Sequence, residues 1–143
     1  LNKIEISSRI GEDKVYEFRR SWEIKPEPLS KESPYHPINI DAYKNVLKES
    51  IPDTESLKDT YERVIKFYDE EIKNQLKNKN ILISAHGNSI RALCKYLFKL
   101  DNDQISKLEI PTGNPLLMEL NDKYEIKSCG YLDKERAKDL LVF

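Results

Sequence analysis

The chain has 143 residues and a mass of 16.8 kDa, 38% of it hydrophobic and 34% charged, enough for one core under a heavily charged surface. A net charge of -1 and a pI near 6.2 argue against nucleic-acid binding by bulk positive charge, although 24 Lys and Arg leave room for local basic clusters. Two cysteines, Cys94 and Cys129, make no disulfide framework and point to a reducing compartment, and no apolar run approaches the ~20 residues of a membrane-spanning helix.

The chain opens Leu1-Asn2-Lys3, without Met or targeting signal, and runs straight into structured-looking sequence; this reads as a chain cut inside a domain. Residues 3–10 and 12–21 read as two short helices around Gly11. Val15, Phe18 and Trp22 recur near helical spacing as an inward face, and Arg19 and Arg20 close the second helix. Residues 23–53 hold Pro26, Pro28, Pro34, Pro37 and Pro52. Proline lacks an N–H donor and restricts its predecessor, so the segment predicts a long surface excursion of the kind that forms lids and binding loops. His36 lies in it as an ordinary loop histidine.

Residues 54–78 give the clearest helix, with Leu57, Tyr61, Val64, Ile65, Tyr68, Ile72 and Leu76 on one stripe, Asp53 or Thr54 as cap, and Glu55 in the first turn. After the break at 78–80, residues 81–85 are apolar and β-branched and predict a strand buried on both faces, as in a parallel sheet. Residues 89–100 predict an amphipathic helix with Cys94 as a small core residue. A turn-rich loop at 111–115, a strand at 116–120, a turn at Asn121-Asp122, a hairpin partner at 124–128 and a short charged helix at 133–141 complete the chain. Helix, strand, helix in that order predicts an α/β fold.

Chemistry concentrates at Ala85-His86-Gly87-Asn88-Ser89, where the predicted strand ends and a helix begins. In open α/β sheets ligands bind at the carboxyl ends of strands, and a helix N-terminus offers N–H groups and a positive dipole end to phosphate. Gly87 admits close backbone approach and Asn88 can donate an amide. His86 can then stabilise a transferring phosphoryl group, or simply cap the sheet edge or the helix. Arg19-Arg20, with Lys3 upstream, can clamp an anion by paired hydrogen bonds or form a solvated basic helix end. Arg91, one turn into the later helix, can reach either a ligand or a carboxylate. Two His and two separated Cys offer no zinc spacing, and neither a Walker loop nor GxGxxG occurs.

Over essentially its whole length the chain resembles the cofactor-dependent (2,3-bisphosphoglycerate-dependent) phosphoglycerate mutases of the histidine phosphatase superfamily. The resemblance is carried by Leu1-Asn2-Lys3, Gly11-Glu12 with Val15, Arg19-Arg20-Ser21, Thr54-Glu55-Ser56-Leu57-Lys58-Asp59-Thr60, Ala85-His86-Gly87-Asn88-Ser89 with Arg91-Ala92-Leu93, and Ile110-Pro111-Thr112-Gly113. It implies the C-terminal part of a single three-layer α/β/α domain with a mostly parallel sheet, spanning residues 1–143 with 23–53 as an insertion. It implies a cytoplasmic enzyme of glycolysis and gluconeogenesis that interconverts 3-phosphoglycerate and 2-phosphoglycerate through a phosphohistidine, primed by 2,3-bisphosphoglycerate and needing no metal, nucleic acid or membrane.

By the same resemblance His86 is the second histidine, which stabilises the transferring group, while Lys3, Arg19, Arg20, Gly87 and Asn88 bind substrate. The family's nucleophile lies in an Arg-His-Gly-Glu motif on a first strand, and these residues contain no such motif. The expectation is therefore half an active site, inactive alone, with exposed sheet edges that favour self-association. A phosphatase of the same superfamily and a non-catalytic anion-binding remnant are the alternatives.

Overall fold

A computed structural model describes residues 3–137. Two short helices, α1 (Lys3–Ile10) and α2 (Glu12–Arg20), flank Gly11, whose φ of +89° lies where a side chain is strained. Glu12 and Asp13 sit in the first turn of α2 and Arg19 and Arg20 in its last, each sign suiting the helix dipole. Val15 turns into the interior and Trp22 packs against the core, as the spacing predicted.

The proline-rich excursion contains only three single-turn 3-10 segments, Pro37–Asn39, Asp41–Tyr43 and Lys48–Ser50. It is nevertheless pinned. Leu29 N–H donates to the Asp53 carbonyl at 2.9 Å, and the Asn39 amide donates to the carbonyls of Lys31 and Ser33 at 2.7 and 2.8 Å. His36 corrects its sequence reading: it is fully buried. Its Nδ1 accepts from Ile38 N–H at 3.2 Å, so the neutral ring holds its proton on Nε2, which meets Asp53 Oδ1 at 3.0 Å.

The helix expected at 54–78 begins later, as α3 (Leu57–Phe67). Its cap is Ser56, not Asp53 or Thr54: Ser56 Oγ accepts from Asp59 N–H and the Asp59 carboxylate accepts from Ser56 N–H, closing a capping box. Glu55 stays outside the helix and grips Arg63 at 2.6 and 3.0 Å. Beyond Phe67 the coil changes pitch, through a π turn at Tyr68–Ile72 and a 3-10 turn at Lys73–Lys77.

Helix α4 (Gly87–Phe98) starts two residues earlier than its apolar pattern indicates, because His86 caps it; Lys99 ends it in the left-handed conformation. A further short helix, α5 (Asn102–Lys107), was not anticipated; Asp101 and Gln104 form its capping box. Strands β1 (Leu116–Leu120) and β2 (Ile126–Tyr131) pair antiparallel, Leu116 opposite Tyr131, with a register shift between Glu119 and Leu120. Leu57, Ala92, Cys94, Ile105 and Leu108 form the core, joining α3, α4, α5 and the residue after α5.

Residues 81–85 are the main departure. They form no strand; Leu82 is 90% exposed and Ile83 40%. A helix closes its hydrogen bonds within itself, whereas a strand needs a neighbour. Among the described residues the hairpin β1–β2 is the whole sheet and no strand pairs with 81–85. The fold is thus α/β at the level of helices plus a small antiparallel sheet, and the described residues hold no parallel three-layer sheet. The helix expected at 133–141 is a 3-10 turn at Glu135–Ala137, and residues 138–141 lie outside the described residues.

Candidate functional site

The end of α2 and the start of α4 converge, with α1 beside them, on a cavity of about 820 Å³. Arg19 and Arg20 reach it from the last turn of α2, and His86, Gly87 and Asn88 from the cap and first turn of α4. Five of the six residues singled out from the sequence therefore line one space, although up to 69 positions separate them (Arg19 to Asn88). The side chain of the sixth, Lys3, lies outside the described residues.

The geometry at His86 follows from its capping role. Asn88 N–H donates to His86 Nδ1 at 3.3 Å. With Nδ1 accepting, a neutral ring carries its proton on Nε2, leaving that nitrogen as a donor. The ring is solvent-exposed, so a ligand can reach it.

Charge in the cavity is mixed but leans positive. Arg9, Arg19, Arg20 and Arg91 face Glu27, Glu55 and Glu109. Two of the three carboxylates are engaged, Glu55 by Arg63 and Glu109 by Arg20. Arg91 is 5% exposed; burial, followed by the repulsion of Arg20, lowers its pKa. Val15, Phe18 and Ile110 supply apolar wall. A small anion fits such a lining: guanidinium forks, an imidazole N–H and a helix N-terminus within one hollow.

Sequence reasoning missed Arg9, Glu27, Glu55 and Glu109 as cavity residues. Arg9 ends α1 and reads as an ordinary surface cation until the turn at Gly11 brings α1 and α2 together. Glu109 comes from the chain between α5 and β1, whose path no periodicity reveals.

A second hollow, of about 1020 Å³, lies between the α3–α4 pair and the hairpin. Of its five lysines, Lys73, Lys95 and Lys127 are engaged, by Asp69, by the Leu100 carbonyl with Asn102, and by Glu119, while Lys99 and Lys123 also line it. The first cavity alone of the two joins arginine forks to a histidine and a helix N-terminus. Among the described residues no three His, Cys, Asp or Glu gather as metal ligands would, and no helix is long and apolar enough to cross a membrane.

Comparison with known proteins gives the site its context. The histidine phosphatase superfamily (branch 1) matches residues 21–127. The chain is 69% identical over 144 residues to a 2,3-bisphosphoglycerate-dependent phosphoglycerate mutase of Pelagibacter ubique (strain HTCC1062), a match covering 100% of this chain and 60% of that protein. Proteins of the same description from Xylella fastidiosa (strain 9a5c) and Maricaulis maris (strain MCS10) are 44% and 41% identical. Those matches cover 99% and 98% of this chain, and 59% and 58% of theirs. The chain thus spans about 60% of the length of these curated relatives.

Proposed function

We propose, from the premise that this chain belongs to the histidine phosphatase superfamily (branch 1), that it carries the substrate-binding side of a phosphoglycerate mutase, the activity its relatives are named for. The observation that carries this reading is the convergence of Arg19, Arg20, His86, Gly87 and Asn88 on one cavity.

The chemistry follows from the groups present. Arg19 and Arg20 offer forked donors to the carboxylate and phosphate of phosphoglycerate. His86 Nε2–H and the N-terminus of α4 meet the charge that builds on a phosphoryl group in transit, where donors aimed at the transition state count most. The phosphoryl group passes between a histidine nitrogen, which neither His36 nor His86 supplies, and a substrate hydroxyl: the N–P bond breaks as the O–P bond forms, and the hydroxyl proton passes to a base that this reading likewise places outside these residues. When bound, 2,3-bisphosphoglycerate supplies the first phosphoryl group. Lys3 joins the substrate ligands, and no step calls for a metal.

The nucleophile is the part this chain does not offer. Of its two histidines, His86 caps α4, and His36 is buried with both ring nitrogens bonded inside the proline-rich excursion. The reading therefore includes residues 1–143 as the C-terminal portion of one three-layer domain, with 23–53 as its insertion. It includes a cytoplasmic home and homo-oligomers; the bare apolar residues Leu82 and Ile83 support association.

The test compares two samples. A complete protein bearing these residues, primed with 2,3-bisphosphoglycerate, interconverts 3-phosphoglycerate and 2-phosphoglycerate. The 143-residue chain alone binds 3-phosphoglycerate without turning it over. If the complete protein hydrolyses phosphate monoesters and does not isomerise phosphoglycerate, the phosphatase reading replaces this one.

A further inference from the structure

Arg91 is a buried guanidinium with an unusual set of partners. Its Nη1 donates to the Arg19 carbonyl and to Asn88 Oδ1, each at 3.3 Å, and its Nη2 donates to the Ile105 carbonyl. All three acceptors are neutral oxygens. Nε is buried without a hydrogen-bond partner. Taking a cation out of water without a directly bonded anion is costly; Arg20 and Arg19 stand near this one and repel it, and the nearby Glu109 carboxylate offsets only part of that cost. Packing alone gives no reason for a charge here, since Ala92, Leu93 and Cys94 bury the next three positions with apolar side chains.

The three acceptors explain it. Each belongs to a different element: the last turn of α2 and the first turn of α4, which line the cavity, and α5 in the core behind it. The Arg19 carbonyl is one of the last four of its helix, which lack an intrahelical donor. Arg91 supplies that donor and so ties the base of the arginine pair to the helix that begins at His86. At Asn88 the effect is on polarity. An amide has one accepting oxygen and one donating nitrogen. With Oδ1 held by Arg91, the nitrogen is the end left for the cavity that Asn88 lines. An amide turned the other way would set its oxygen against an anion.

We infer that Arg91 is a positioning residue: it holds the Asn88 amide with its N–H donors toward the bound anion and locks the Arg19-Arg20 turn against the start of α4. This rests on the reading of the cavity as a phosphoglycerate site. Lysine cannot replace it, because a single ammonium does not span three oxygens set for a planar fork.

The experiment is a double-mutant cycle in the complete protein, with 3-phosphoglycerate affinity by calorimetry, kcat and KM for isomerisation, and melting temperature. Misorienting one donor to a charged ligand raises Kd and KM about tenfold in Arg91→Lys. In an Asn88→Ala background the same substitution adds a clearly smaller factor, about threefold, because one of the two groups it acts through is gone while its hold on the Arg19 carbonyl remains. Losses that multiply independently overturn the inference, and so does an Arg91→Lys enzyme with unchanged KM.

If Arg91→Lys does not fold, the wild-type protein still decides. The Asn88 side-chain amide resonance shifts on adding 3-phosphoglycerate if the N–H faces the ligand, and an unmoved resonance overturns the inference. Wild type that neither binds nor isomerises phosphoglycerate removes the functional reading itself. Active wild type with no Arg91–Asn88 coupling removes only this inference.

Discussion

The residues on the two sides of His86 behave in opposite ways. After it, α4 runs for 12 residues, and Arg91, Ala92, Leu93 and Cys94 are buried. Before it, residues 81–85 are more apolar still, yet Leu82 is 90% exposed and no strand forms. The more apolar segment is the exposed one, so hydrophobicity does not separate them in the expected sense. What separates them is where each backbone finds its partners. The helix bonds within itself, is capped by His86, and needs only α3 and α5 against its apolar face. The extended segment needs a neighbouring chain on each edge. Local order and order that depends on distant pairing meet at a single residue.

The strongest way to break this contrast is to attack the packed side. Ile105 is fully buried between elements, so Ile105→Ala should cost about 2–5 kcal/mol, read as a shift in the urea unfolding midpoint. A cost below about 1 kcal/mol would mean the α3–α4–α5 core does not hold the chain together.

The next effect is smaller and pH-dependent. Ser56→Ala removes the cap of α3 and should cost about 1 kcal/mol at neutral pH. The Asp59 carboxylate in that capping box is lowered from 3.8 to about 2, first by its hydrogen bond from Ser56, then by Lys25. Its folded pKa lies below the unfolded one, so its contribution is full above about pH 4 and disappears as pH falls toward 2. Asp59→Asn should flatten that part of the acid-melting curve; an unchanged curve would put the acid sensitivity elsewhere.

The smallest expected effect sharpens the other side. Leu82→Asp should change stability by no more than about 0.5 kcal/mol, because the side chain is already in water. It should also reduce self-association, measured by sedimentation. A loss of several kcal/mol would show that residues 81–85 find a partner in solution.

Legibility in the sequence follows the same line. The two opening helices, the strand at 116–120 and the buried Cys94 are legible because turn glycines and periodicity are local signals, whereas the grouping of Arg19, Arg20, His86, Gly87 and Asn88, which line one cavity, rests on the family resemblance. The strand at 81–85 was not legible: a β-branched run records a capacity to pair, and the partner is written elsewhere. The cap of α3 was misplaced by two to three residues, since Asp53, Thr54 and Ser56 all suit the role and only Ser56 meets an Asp three positions on. His36 looked like any loop histidine because its counterpart, Asp53, is 17 residues away. Arg91 stayed undecided between ligand and carboxylate, and its partners proved to be carbonyl and amide oxygens.

The ion pair between Arg20 and Glu109 has a consequence for selection among anions. A ligand reaching Arg20 must displace a carboxylate already seated there. Trading one carboxylate for one small anion of similar charge gains little, so chloride or acetate meets a threshold. A ligand with two charged ends can engage Arg19 as well as Arg20, and the second contact is gained without an exchange. In the proposed site Glu109 would therefore compete with an incoming anion for Arg20, and its half-exposed side chain keeps that competition weak.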